Sequence, residues 1–489
     1  MMKMNRYLGG MFALLFSCAM VSKVDAEVKM PAIFADNMVM QQQTNANLWG
    51  TATPNKRVTV TPSWNHKTYT TTSDASGNWK LAIPTPVAGG PYEIVVSDGN
   101  ALTLKNVMLG ELWLCAGQSN MEMPMKGFKN QPVEGANKAA LKSKNGNIRL
   151  FTVKRNSSTE PVKEVSGEWL EANPASVREF SATAYFFGRQ LEETLQVPVG
   201  LVVAAWGGSA CEAWMNEDML KAFPEAVAKI PQAQGNIESK NRTPTVLFKG
   251  MLSPLIGLSM KGVIWYQGED NWNRAHTYAD MFSTMIKGWR QLWKQGDFPF
   301  YYCQIAPYDY GIITEKGKEI INSAYLREAQ AKVEHMVPNT GMAVLMDAGF
   351  KEGIHPYDKR TPGERLALLA LNKTYGIEGI SGDSPYYKSM EVQNDTVIVS
   401  FERAPMWICG KHSFESAQFK VAGADRVFYP AKAWIQRSKV CVKSEKVPHP
   451  VAVRYAFENY AEGDLFGGDG LPISSFRSDD WPDSRPIKE

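Results

Sequence analysis

Beyond the amino terminus, apolar residues first fall on every second position: Val58 and Val60, then Trp79, Leu81 and Ile83, then Tyr92, Ile94 and Val96. A period of two marks half-buried strands, and Ser76-Gly77-Asn78 and Asp98-Gly99-Asn100 supply turns between them. Residues 27–105 are therefore expected to form a small β domain of the sandwich type. From about residue 106 the texture changes. Continuous apolar runs end abruptly in polar or glycine-rich blocks: Val199 to Ala205 runs into Trp206-Gly207-Gly208-Ser209, and Gly262 to Tyr266 into Gln267-Gly268-Glu269-Asp270. Tyr301 to Ile305 runs into Ala306-Pro307, and Met342 to Met346 into Asp347. Helical spacing appears between these runs, most clearly in Tyr278, Met281, Phe282, Met285, Ile286, Trp289 and Trp293, whose stripe is expected to face a core. Leu366 to Leu371 starts another helix. Buried strands alternating with such helices predict an α/β fold over 106–384, a mostly parallel sheet covered on both faces in three layers. Alternation returns in Val397, Val399 and Phe401 and again in Val451, Val453, Tyr455 and Phe457. Residues 385–489 are expected to be β-rich, extending the first β domain or standing as their own.

In parallel sheets of this kind, ligands bind outside the carboxyl ends of the strands. Leu114-Cys115-Ala116-Gly117-Gln118-Ser119-Asn120-Met121 runs an apolar strand into a tight turn at that edge, and Ser119, Gly208, Gln267 and Glu269 all fall there. Ser119 reads as a nucleophile. A serine hydroxyl is weak until a positioned base takes its proton, so a histidine is required. The chain has six. His66, His412 and His449 sit in β-rich, turn-punctuated stretches, His276 near a helix start and His335 on a helix face. His355, in Glu352-Gly353-Ile354-His355-Pro356, is the candidate.

The chain of 489 residues exceeds what one core usually supports, so two or three domains are expected. Hydrophobic residues at 44% exclude a disordered chain, and a net charge of +3 gives no reason to expect nucleic acid or an anionic membrane as partner. Lys3 and Arg6, the apolar stretch from Tyr7 to Val21 and the small residues near Val24-Asp25-Ala26 form the pattern of a cleaved secretory signal over 1–26. Export to a periplasm or the cell exterior follows, with Cys18 as an alternative site of lipid anchoring. No later stretch is long and apolar enough to span a bilayer. Cys115, Cys211 and Cys303 lie in apolar contexts and are expected to be buried thiols, while Cys409 and Cys441 are candidates to pair. No histidine, cysteine or carboxylate cluster has metal-ligand spacing, and no cofactor is implied.

Over nearly the whole stretch from 27 to 482 the chain resembles the sialate O-acetylesterase family, within the wider SGNH-type serine esterases. Four blocks carry the resemblance: Gly117-Gln118-Ser119-Asn120-Met121; Trp206-Gly207-Gly208-Ser209 with Glu212-Ala213-Trp214-Met215; Trp265-Tyr266-Gln267-Gly268-Glu269-Asp270-Asn271; and Ile354-His355-Pro356 with Lys359 and Gly363-Glu364-Arg365-Leu366. Gly470-Leu471-Pro472 through Phe476-Arg477-Ser478-Asp479 is similar to the family's closing signature. Each block alone is weak; all of them in order are specific.

The resemblance implies an SGNH-hydrolase-like domain with β-rich regions at both ends. It places the nucleophile on Ser119 and the base on His355. For the tetrahedral oxyanion it implies the Ser119 N–H, the Gly208 N–H and the Gln267 side-chain amide. The acid that orients His355 has two candidates: Glu352, at the spacing where many SGNH enzymes carry aspartate, and Glu269, since related carbohydrate esterases use the glutamate of the Gln-Gly-Glu block. Asp347 or a backbone carbonyl is a further alternative. Ala210 departs from the proline more usual after Gly-Gly-Ser. Trp206, Trp214, Tyr266 and Trp272 flank the blocks and suit the apolar face of a sugar, Trp113 and Trp265 are expected in the core, and Arg274 is placed to meet a substrate carboxylate. The activity implied is release of acetate from an O-acetylated sugar through an acetyl-enzyme, with sialic acid as the family's named substrate. An acetylated plant polysaccharide such as xylan or xyloglucan is the alternative substrate. A carbohydrate-binding protein on a hydrolase fold that no longer turns over is the alternative of another class, against which intact Ser119 and His355 argue.

Overall fold

The structure, a computed structural model, describes residues 27–481 apart from 315–317, 319–320 and 405–406. The secretory pattern and Cys18 lie outside the described residues. A central sheet runs in the spatial order Thr340–Ala343, Phe300–Cys303, Gly262–Tyr266, Ala101–Gly117, Val199–Ala205, Asn145–Thr152 and Trp169–Ala172. All neighbours pair parallel except the last, which is antiparallel. Sequence periodicity and structure agree here for a physical reason. Parallel strands are covered on both faces, so their sequences read as unbroken apolar runs.

The two faces are separate cores. Along Ala101–Gly117 the pleat sends Leu112, Leu114 and Ala116 into one apolar cluster and Trp113 and Cys115 into the other. Helices Ala275–Trp293 and Ala324–Met336 cover the first face, and Ala182–Leu195 and Arg360–Leu369 the second. All seven stripe residues from Tyr278 to Trp293 are buried, each large apolar side chain contributing about 1.5–3 kcal/mol. Helix Ala182–Leu195 is opened by Ser181, whose hydroxyl accepts from Ala184 N at 3.1 Å, a cap worth about 1 kcal/mol. It closes at Gln196 in the left-handed region.

Strand Ala101–Gly117 crosses residue 105 without a break. Its first half pairs antiparallel with Gly89–Ser97 of the amino-terminal β region, and its second half is the middle of the parallel sheet. The amino-terminal region also contains the antiparallel pair Thr44–Thr51 and Asn78–Thr85. Beyond residue 385 the described residues form sheets of five, four and two strands, all antiparallel. They are fastened to the α/β core by the buried Arg327, which donates to Ser475 Oγ at 3.0 Å and to the Glu458 carbonyl, and by Gln304, which donates to Ser474 Oγ at 2.7 Å. Cys115, Cys211 and Cys303 are buried free thiols; Cys409, exposed, and Cys441, buried, are free as well. Among the described residues no helix is long and apolar enough to cross a membrane.

Candidate active site

Three strands end at one level. Ala205 and Tyr266 both register with Gly117, so the chain leaves the sheet there three times side by side. Gly117 makes this junction: its φ is +140°, and a Cβ there would lie 2.2 Å from the Tyr266 carbonyl. The turn is then locked by Gln118 N donating to Tyr266 O at 2.9 Å and Trp206 N donating to Gly117 O at 3.1 Å. Gln118 also accepts, through its side-chain oxygen, from Gly268 N at 3.3 Å and Asp270 N at 3.2 Å. Ser119 follows as the first residue of the short helix Ser119–Glu122.

Around Ser119 the structure leaves donors unspent. Among the described residues neither the Ser119 N–H nor the Gly208 N–H has an acceptor. Gly208 holds a φ of +67°, and a Cβ there would sit 3.2 Å from Asn241 Nδ2. Asn241 donates one amide hydrogen to Gly207 O at 2.6 Å, and its second has no acceptor among the described residues. Gly207 N in turn donates to Glu122 Oε2 at 2.8 Å, and Glu122 takes a two-pronged contact from Arg155 at 2.5 and 2.7 Å. Gln267 departs from its expected place as an oxyanion donor. Its amide is fully buried and both hydrogens are committed, to Ser209 O at 3.0 Å and Asn271 Oδ1 at 2.7 Å, while its oxygen accepts from Tyr278 OH at 2.8 Å.

The His355 loop meets the Ser119 turn through their neighbours: Asn120 Nδ2 donates to the Ile354 carbonyl at 3.1 Å. No hydrogen bond joins Ser119 Oγ to the imidazole among the described residues. His355 Nδ1 lies 2.7 Å from Gln131 Oε1, and Phe128 meets the ring edge-on at a centroid distance of 5.3 Å. Burial, and then the nearby Lys359 cation, push the imidazole down to about 4.

Neither glutamate proposed from sequence reaches the imidazole. No carboxylate oxygen comes within 4.0 Å of a His355 nitrogen among the described residues. Glu352 stands exposed on the turn before it. Glu269 is buried and accepts instead from Asn120 Nδ2; its second oxygen has no hydrogen-bond partner among the described residues, and burial raises its carboxyl above the usual range. Asp347 is held by Arg365 in two contacts of 2.7 Å. On the other side of Asn120, the buried Lys359 donates to Asn120 Oδ1 at 2.6 Å and to Pro356 O at 2.7 Å.

The aromatic candidates divide. Trp206 is half-buried, with the Arg155 guanidinium 5.4 Å from its ring centroid, and Trp272 is half-buried and stacked on Tyr310 at 4.6 Å. Trp214 and Tyr266 are core residues rather than sugar contacts. Trp214 is enclosed, donates to Ser209 Oγ at 2.9 Å and packs edge-on against Trp265, while Tyr266 is enclosed beneath the Gly117 junction. Trp113 and Trp265 are buried as expected. Arg274 is engaged by Glu212 at 3.0 Å. Arg242, which the sequence did not single out, pairs through Nε with Asp270 at 2.7 Å and is otherwise largely exposed beside Gly208. Among the described residues no group of three or more histidine, cysteine or acidic side chains is placed to hold a metal ion.

Comparison with known proteins converges on one group. A family model described as "Carbohydrate esterase, sialic acid-specific acetylesterase" matches residues 109–355. The sialate O-acetylesterase of Rattus norvegicus is 30% identical over 430 residues, covering 76% of this chain and 79% of its own length. That of Homo sapiens is 30% identical over 397 residues, covering 73% of each. A crystal structure of a carbohydrate acetylesterase from Xanthomonas citri superposes with a TM-score of 0.83 at 35% identity, covering 93% of this chain and 100% of that one.

Proposed function

Because the chain belongs to the sialic acid-specific acetylesterase family and is a carbohydrate O-acetylesterase, we propose that it acts as a serine esterase on an SGNH-type scaffold, with Ser119 as nucleophile and His355 as base. The supporting observation is the pair of unspent backbone donors, Ser119 N–H and Gly208 N–H, at the level where three parallel strands end. An amide oxygen can only accept, so Gln131 Oε1 holds the hydrogen on His355 Nδ1 and leaves Nε2 with its lone pair. In this reading Nε2 takes the Ser119 proton as Oγ attacks the acetyl carbonyl. The developing oxyanion is met by the two backbone N–H groups, with the spare hydrogen of Asn241 as third donor in place of Gln267. His355 then gives the proton to the departing sugar oxygen, and water hydrolyses acetyl-Ser119 by the same route in reverse.

The orienting task that sequence divides between Glu352 and Glu269 falls, on this account, to Gln131. An amide orienter is chemically sufficient: the cysteine–histidine–asparagine proteases use one. O-acetylated sialic acid is the proposed substrate, supported by the activity named for the rat and human relatives, with Trp206 and Trp272 as sugar contacts. Export is part of the same proposal, supported by the pattern over residues 1–26. Acetate release from a panel of O-acetylated sialosides, acetylated xylan and acetylated xyloglucan tests the reading. The sialosides are expected to be cleaved with the highest kcat/KM. Preference for either polysaccharide would reassign the substrate, and binding without release from any member would favour a non-catalytic carbohydrate-binding role.

A further inference from the structure

Lys359 is an unusual residue to find enclosed beneath a hydrolase site. Its side chain is buried, and an ammonium group removed from water is strongly disfavoured unless the fold returns something for it. Among the described residues it donates two hydrogen bonds, to Asn120 Oδ1 at 2.6 Å and to the Pro356 carbonyl at 2.7 Å. These acceptors are not arbitrary. Pro356 follows His355, and Asn120 follows Ser119, so one ammonium group touches the residue next to the proposed base and the residue next to the proposed nucleophile.

Asn120 completes the tie. Its oxygen is used by Lys359 and both its amide hydrogens are used by Ile354 O and Glu269 Oε1. With its oxygen and both amide hydrogens engaged, flipping the side chain would break all three contacts, and both residues flanking His355 are bonded to the Lys359–Asn120 unit. The charged and titratable groups around Lys359 are Glu269, Asp358, Cys303 and His355. Burial lowers the ammonium to about 7, with Glu269 and then Asp358 opposing that shift.

We propose that Lys359 is a positioning residue for deacetylation, clamping the His355 loop to the Ser119 turn through Pro356 O and Asn120. A second consequence comes from its charge. A cation beside an imidazole disfavours a second positive charge, so Lys359 helps keep His355 neutral and able to accept a proton in mildly acidic solution. This inference rests on Ser119 and His355 acting as nucleophile and base.

The test compares Lys359→Met, Lys359→Arg and Ser119→Ala in the full chain, with an O-acetylated sialoside as substrate. A loop displaced by about an ångström costs on the order of 100-fold in rate, so Lys359→Met is expected to lose that much kcat with KM nearly unchanged. The acid limb of its kcat/KM profile should move to higher pH, because the cation that held the imidazole down is gone. Lys359→Arg should lose kcat as well, since a guanidinium cannot reproduce both contacts, yet keep the acid limb in place. Wild-type kcat in the Met variant, or a lost kcat with an unmoved acid limb, would overturn the proposal. Should the Met variant not fold, an Arg variant with wild-type kcat would overturn it alone. Ser119→Ala separates the two levels: activity there defeats the nucleophile assignment, whereas an inactive Ser119→Ala beside an unaffected Lys359→Met defeats only the clamp.

Discussion

Asn120 Nδ2 donates to Glu269, so this buried carboxyl, one of the two glutamates the sequence offers as the acid, meets the residue after Ser119 and not the imidazole. In the proposed mechanism Glu269 therefore acts through the geometry of the Ser119 turn and not on His355. Glu269→Gln retains an oxygen able to accept from Asn120 and is expected to cost about tenfold in kcat, where replacing a triad acid by its amide costs on the order of 10⁴. Glu352→Gln, on the exposed turn, should leave kcat within about twofold. Steady-state kinetics on both variants decides the matter, and a loss near 10⁴ in either would restore that glutamate to the acid's role.

Gln131 carries the complementary prediction. Its side-chain oxygen is 2.7 Å from His355 Nδ1 and, in the proposed mechanism, fixes which nitrogen is the base. Gln131→Ala frees the ring and should lower kcat by about 10²-fold. Gln131→Glu places a carboxylate beside the imidazole, which favours the charged form, raises its pKa and shifts the acid limb of kcat/KM upward. An unchanged profile in Gln131→Glu would remove Gln131 from the site.

The wild-type pH profile follows from the same environment. In the proposed mechanism His355 must be neutral to accept the serine proton, and burial with the Lys359 cation holds it down to about 4. Activity is present above that value and is lost as pH falls through it. The acid limb of kcat/KM should therefore lie near 4. A limb centred near 6.5, the ordinary imidazole value, would contradict the buried setting.

Gly117→Ala tests the junction that presents Ser119. The substitution demands a disfavoured φ of +140° and drives a Cβ to 2.2 Å from the Tyr266 carbonyl. Backbone strain with this displacement should cost on the order of 3 kcal/mol. Urea unfolding at constant m-value measures it, and a loss under about 0.5 kcal/mol would show that the turn has slack.

Much of this arrangement was legible in the residues alone. Val199 to Ala205 and Gly262 to Tyr266 are apolar throughout because both faces of their sheet are covered, and the stripe from Tyr278 to Trp293 keeps helical spacing because one face is buried. The blocks that end those strands converge because parallel strands end on one side. What the residues could not show is who spends whose hydrogen bonds. Gln267 carries a suitable amide, but Ser209, Asn271 and Tyr278 have consumed it. Gln131 meets His355 across a sequence separation of 224 and Asn241 sits in a polar loop with no pattern of its own, so neither gives a local signal. Trp214 and Trp206 look alike in sequence, and only packing makes one core and leaves the other at the surface.

If Ser119 Oγ attacks the acetyl carbonyl, acetate release should fail in Ser119→Ala. Replacing a hydroxyl by hydrogen removes the attacking atom with little packing volume, so the thermal midpoint should stay close to wild type. The kcat should fall by at least about 10³-fold. A folded Ser119→Ala protein that keeps more than about a tenth of wild-type kcat would rule out Ser119 as the nucleophile.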